Sequence, residues 1–415
     1  MTTTSTQIDP MSQTIQAIRN VRPLGRAEAA DLLIEDERIA AVLPAGTAAP
    51  ALPTLADGQG RLMLLPALVE AHVHFDKSLW GAPWRPNSAG PTRNHRISNE
   101  QAVLKDFGMP LAERAAPLIE QCIARGSLYF RSHVDVQTVF GLAHIEEMLA
   151  LRRRYAHLVD MQLVAFPQGG LLTVPGTAEL MEHALDMGLE VVGGIDPAGI
   201  DRDPIRHLET VFELATRFGQ RGIDIHLHDG GELGRFEIER IADMTEAHGL
   251  QGRVMVSHAY ALGAFAPADL HPLADRLARL GISIMSCAPA HFMVPPLAML
   301  RSRGVNVCSG SDNIRDTWSP MGNGDMLDRA RLIAMRFGWS KDEQLADAFD
   351  IVSQGGAQAL GIADYGLAPG CAANLLLLPA QNIAEAVVSG PLARTVISRG
   401  RVVARDGVFS ADSAA

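Results

Sequence analysis

Between residues 67 and 367, eight short apolar runs alternate with amphipathic helical stretches. The runs are ALVEAHVHF, SLYFRSHVDV, DMQLVAFPQ, VVGGIDP, DIHLHD, RVMVSHA, ISIMSCA and VNVCSGSD. Helical texture such as GTAELMEHALDMG and DPIRHLETVFELATRFG lies between them. Strands alternating with helices build a parallel sheet, because each crossover must return the chain before the next strand can pair. Eight such units over roughly 300 residues are the count and size of a (β/α)8 TIM barrel in the α/β class. A doubly wound sheet is the alternative that the pattern leaves open.

The two ends read differently. ADLLIEDERIAAVLP alternates around an acidic turn as a hairpin does, and near the C-terminus ANLLLLPA and TVISRGRVVARDG, with a turn at Gly400, have the same texture. One small β-sandwich domain built from both termini, residues 14–66 and 368–410, is therefore expected beside a catalytic barrel at 67–367. The opening MTTTSTQIDPMSQ is polar, without the basic and apolar regions of a signal peptide, and is expected to fray.

Composition narrows the function classes. The 415-residue chain carries a formal charge of -11, and its one basic run, LRRRY at Leu151, reads as a solvated helix face. No nucleic-acid partner is expected, nor a membrane one, since no apolar run is long enough to span a bilayer. Cys122, Cys287, Cys308 and Cys371 are scattered without CxxC spacing, which predicts reduced thiols and a cytoplasmic location.

The chemistry shows in where polar residues fall. The first run ends in His72 and His74, the second in His133 and Asp135, the third in Gln168 and the fourth in Asp196. The fifth supplies His226, His228 and Asp229, the sixth His258, and the eighth Asp312 and Asn313. Barrel active sites sit at the C-terminal strand ends, and packing needs no such groups there. His72 and His74 alternate onto one face of a strand and can hold one metal ion. A third imidazole from the fifth strand and a carboxylate from the eighth would complete a site with an open position for water. His133 either orients a ligand or only packs. His95, His144, His157, His183, His207, His248 and His271 read as surface residues, and His291 stands open between the mouth and solvent.

HVHFDK, HVDV, AFPQGG, VGGIDP, HLHD, SHA and SDNIRDTWSPMGNGDM occur in an order and spacing that resemble the cytosine deaminase branch of the amidohydrolase superfamily. The resemblance implies one divalent metal, zinc or ferrous iron, held by His72, His74, His226 and Asp312. It implies His258 as general base or proton shuttle, Gln168 against the amide face of a ring substrate, Trp318 as a pocket wall, Lys77 at the rim, and a homo-oligomer. Two departures stand out: Asp229, preceded by His228, where cytosine deaminases have Glu, and Asn313 after Asp312 where they have a second Asp. Both match the triazine-ring members of the branch.

The expected reaction is hydrolysis at a carbon of a nitrogen heterocycle, with metal-bound hydroxide displacing ammonia or an alkylamine. Asp312 and His258 relay the proton, and Asp229 or His228 protonates the ring. Asn313 is expected in the substrate pocket. A cyclic amidase of the hydantoinase or dihydroorotase kind would need two metals and a lysine on the fourth strand, and LEVVGGIDPAG has none. A non-catalytic oligomeric scaffold is disfavoured by the complete ligand set, and a nucleic-acid-editing zinc deaminase by the missing CxxC.

Overall fold

The computed structural model describes residues 15–410; the polar N-terminal stretch expected to fray lies outside them. Eight parallel strands follow one another in chain order: Leu68–Val73, Ser127–Asp135, Asp160–Phe166, Val191–Ile195, Gly222–His226, Val254–Ser257, Ser283–Met285 and Val307–Cys308. The eighth meets the first just beyond its end, where Asp312 N donates to His72 O at 2.8 Å and His74 N to Asp312 O at 3.3 Å. The doubly wound alternative falls, because an open sheet would leave these edges unpaired.

Helices cover the outside, each built by the same local rules. In Pro204–Arg217, Asp203 accepts from Arg206 N at 3.1 Å, proline opens the first turn, and Leu208, Val211, Phe212 and Ala215 make one buried stripe. Two histidines expected on the surface are instead buried. His207 lies on that stripe, its Nδ1 2.6 Å from Asp201 Oδ2, while Asp201 also accepts from the amides of Leu171, Leu172 and Thr173. His144 is buried and stacks on Phe140 at 4.3 Å. His291 is exposed.

A separate sheet uses both chain ends. Gln16–Pro23, Ala30–Glu35, Arg38–Pro44, Thr54–Asp57 and Leu62–Pro66 join Leu375–Pro379, Thr395–Ser398, Arg401–Arg405 and Val408–Phe409. Leu62–Pro66 pairs antiparallel with Leu375–Pro379, which splices the two termini together. Gln16–Pro23 bends at its register shift, pairing first with Ala30–Glu35 and then with Leu62–Pro66. Ile18, Val21, Leu32, Leu64, Leu375 and Ile397 fill the space this makes. The acidic hairpin turns at Asp36 and Glu37, and the later one at Arg399 and Gly400, all four with positive φ. That is the turn whose twist suits a two-residue hairpin.

One close approach matters for the site. A Cβ placed on Gly310 would stand 2.3 Å from His72 O and 2.5 Å from His72 N, so only glycine lets the eighth-strand segment lie against the first strand. Gly310→Ala is expected to push the His72–His74 segment off its position, so that bound metal and thermal stability fall together. Elemental analysis and a melting curve check it; a variant with native metal content would show the approach to be dispensable.

Candidate metal centre and active site

The C-terminal ends of the first, fifth and eighth strands converge on one point. His226 Nε2 and His74 Nε2 are 3.3 Å apart, His74 Nε2 and Asp312 Oδ1 are 3.3 Å apart, and His72 Nε2 is 3.7 Å from the same oxygen. An ion with tetrahedral bonds of roughly 2.0–2.1 Å would hold its ligand atoms about 3.3 Å apart, which two of these spacings match and the third approaches. The ring nitrogens are suited to it. Burial lowers His74 and His226 well below the usual histidine range, helped at His74 by Lys77 and at His226 by the neighbouring imidazoles. Both rings are therefore neutral and carry a lone pair. Burial opposes ionisation of Asp312, but the His72 and His74 rings beside it outweigh that and hold the carboxyl well below its ordinary value.

Two overlapping sets of donors are close enough for a metal: His72, His74, His133 and His226, and His72, His226, His258 and Asp312. His133 packs 4.0 Å from the His72 ring, with burial and then His72 pushing it down to about 4. His258 sits on the other side. Its ring stacks on His228 at 4.3 Å, its Nε2 is buried without a hydrogen-bond partner, and Cys287 Sγ lies 3.9 Å from its Nδ1. Asp196, His258 and Asp312 all have positive φ, at 34°, 72° and 61°. Such backbone, uncommon outside glycine, ends each strand and re-aims its side chain.

The fifth-strand pair divides its tasks. His228 Nδ1 is 3.0 Å from Asp196 Oδ2, which leaves Nε2 unengaged by that contact. Burial disfavours the Asp196 charge, yet His228 and Arg93 outweigh it and bring the carboxyl down to about 2. Asp229 is occupied differently, accepting from Arg93 Nη2 at 3.2 Å and from Gly199 N at 2.8 Å.

Lys77 is not at the rim. Its side chain is 1% exposed and forms a buried network with Gln168, with Asp135 Oδ1 at 2.9 Å and with Glu100 Oε2 at 3.6 Å. Burial works against the ammonium, but Asp135, Glu100 and Asp76 outweigh it and raise Lys77 above the ordinary lysine range. Gln168 Nε2 donates to Glu100 Oε1 at 2.5 Å, and half-buried Trp318 donates from Nε1 to Glu100 Oε2 at 2.6 Å. Asn313 Nδ2 donates to Asp316 Oδ2 at 2.6 Å. Arg93 and Glu100 belong to the helix Arg93–Lys105, at the end of the stretch 79–100 on which the shape of the pocket was expected to depend, though neither residue was singled out. Asp224 was missed as well, although its place two residues before His226, on the same strand face, is a signal that could have found it.

Residues 111–404 match the model of the amidohydrolase family (Amidohydro_3). The chain belongs to the amidohydrolase family. Among its amidohydrolase relatives, N-isopropylammelide isopropyl amidohydrolase of Pseudomonas sp. (strain ADP) is 32% identical over 367 residues, 86% of this chain and 89% of that one. The uncharacterized protein YahJ of Escherichia coli (strain K12) is 36% identical over 284 residues, 68% of this chain but only 61% of YahJ. The crystal structure of N-isopropylammelide isopropylaminohydrolase from Burkholderia multivorans ATCC 17616 superposes with a TM-score of 0.91 at 40% identity, covering 96% of this chain and 100% of that one. That of 5-methylcytosine deaminase from Klebsiella pneumoniae, liganded with 5-fluorocytosine, gives 0.82 at 30% identity, covering 93% and 97%. Among the described residues no helix is long and apolar enough to cross a membrane.

Proposed function

We propose that this amidohydrolase removes ammonia or an alkylamine from a ring carbon of a nitrogen heterocycle of the aminopyrimidine or aminotriazine type. The observation that carries the reading is the convergence of His72, His74 and His226 Nε2 with Asp312 Oδ1 at spacings of 3.3–3.7 Å beside His258 and His228. The relatives named for isopropylammelide and 5-methylcytosine support the substrate class.

In this reading His72, His74, His226 and Asp312 hold one divalent cation, zinc or else ferrous iron. Such an ion, when bound, makes a water acidic enough to serve as nucleophile at neutral pH. His258 is neutral, because burial and then His228 lower it well below the usual histidine range. Its unpartnered Nε2 takes the proton of the attacking water and passes it to the leaving nitrogen. His228, anchored at Nδ1 by Asp196, protonates the ring nitrogen from Nε2 and regains a proton from the new hydroxyl as the carbonyl forms and the amine leaves. Asp229, with both oxygens engaged by Arg93 and Gly199, holds the loop around His228 instead. Gln168, Trp318 and Asn313 form the polar wall against the ring, and Lys77, held by Asp135 and Glu100, fixes Gln168 in it. The rest of the reading is a cytoplasmic homo-oligomer. The unpaired cysteines and the exposed Trp84, Phe292, Met293 and Met321 support it, and a monomeric mass in solution would remove it.

The test is elemental analysis together with a panel of aminopyrimidines, aminotriazines, alkylaminotriazines and pterins assayed for released ammonia or alkylamine. One ion per chain, release from at least one ring and its loss on chelation are expected. Two ions per chain with opening of a cyclic amide would favour the amidase alternative, although the fourth strand, Val191–Ile195, contains no lysine.

A further inference from the structure

A second line of polar groups runs through the barrel interior below the ligand nitrogens. His72 Nδ1 lies 3.0 Å from Ser257 Oγ, and Ser257 Oγ donates to Asp224 Oδ1 at 2.6 Å. Arg131 Nη1 and His133 Nε2 each stand 3.5 Å from the other oxygen, Asp224 Oδ2. His72, Ser257, Asp224 and His133 are fully buried and Arg131 nearly so.

Hydrogen-bond direction follows from the chemistry of the groups. A carboxylate beside a guanidinium accepts and cannot donate. The single hydroxyl proton of Ser257 is therefore spent on Asp224, and toward His72 its oxygen can only accept. Nδ1 of His72 then carries the hydrogen, and Nε2, which has no hydrogen-bond partner, keeps its lone pair on the side of Asp312. The other two imidazoles differ: Nδ1 of His74 and Nδ1 of His226 are buried without a partner.

We infer that Asp224 and Ser257 are positioning residues that lock His72 in its metal-ready tautomer through a one-way Asp224–Ser257–His72 relay, with Arg131 neutralising its lower end. His72 is thus the pre-set ligand of the three, and the other rings settle their tautomers when the cation arrives. The inference rests on the reading of His72 as a metal ligand. A hydrogen-bonded outer group of this kind fixes a ligating ring and raises its basicity.

The experiment measures zinc affinity of the full chain by competition with a chelating dye, and the melting temperature of the metal-free chain, for Ser257→Ala, Asp224→Asn and the double variant. Ser257→Ala removes the acceptor of His72 Nδ1. In Asp224→Asn the amide oxygen turns to Arg131 and the NH2 to Ser257, which reverses the relay and puts the hydrogen on Nε2. Each single variant is expected to bind zinc about 10–100-fold more weakly. The double variant should lose no more than the weaker single one, because both act on the same ring. A merely structural role would lower the metal-free melting temperature and leave zinc affinity alone. Zinc affinity within about threefold of native in Ser257→Ala, or losses that simply add, would overturn the relay. If Asp224→Asn fails to fold with Arg131 unpaired, Ser257→Ala alone decides. A native chain that binds no zinc would instead sink the site reading itself.

Discussion

Replacing His258 by asparagine is expected to leave one divalent ion per chain and slow turnover about 10²–10⁴-fold, the usual contribution of a positioned proton carrier. Asparagine suits this test because residue 258 has φ 72°, a backbone region that asparagine tolerates better than most side chains. The amide can fill part of the imidazole's space but cannot shuttle a proton at neutral pH. The ligand set proposed above, His72, His74, His226 and Asp312, does not include His258, so metal content should hold. Elemental analysis and initial rates of amine release check both halves. Loss of the ion would make His258 a ligand in the alternative set with His72, His226 and Asp312. Native turnover would remove it from the chemistry.

Arg394→Ala is expected to destabilise the fold by about 3–5 kcal/mol, the usual result of removing one partner from a buried ion pair. Both guanidinium Nη atoms donate to Asp325, each at 2.9 Å, and the pair is almost wholly out of solvent. Arg394 also reaches Arg125 O and Pro391 O, each at 2.6 Å. Asp325 starts the barrel helix Met326–Phe337 by accepting from Leu327 N, so the pair ties the C-terminal sheet segment to the barrel. Without Arg394 a buried carboxylate stays behind. Denaturant unfolding measures the cost, and Arg394→Lys should recover only part of it, since an ammonium cannot match both oxygens at once. A loss of less than about 1 kcal/mol would show that the pair sits in wetter surroundings than its burial indicates.

The barrel was legible because its physics is local and repeated. Each strand is a short apolar run, each crossover an amphipathic helix, and nearly every strand end carries a polar residue that has no place in the core. The metal-ligand candidates were legible for the same reason, since His72 and His74 are two apart on one strand and share a face. What escaped depended on contacts between distant segments. Lys77 lies just past the first strand and reads as a rim residue until Glu100 and Asp135 close over it. Arg93 reaches Asp196 and Asp229 from the far end of a long loop, and no local pattern marks it. His207 was misplaced because its partner, Asp201, lies outside the helix whose apolar stripe it joins.

The amino-acid sequence alone therefore determined the eight-strand alternation, the splicing of both ends into one sheet and the candidates at the strand ends, because short-range periodicity decides which face of an element avoids water. Tertiary structure alone decided the contacts around them. It showed that Asp229 is spent on Arg93 and Gly199 while His228 is not, that Lys77 is caged, and that a hydroxyl on the sixth strand links His72 to a carboxylate on the fifth. A hydrogen bond or an ion pair depends on distance and direction between groups far apart in the chain, and periodicity carries no record of either.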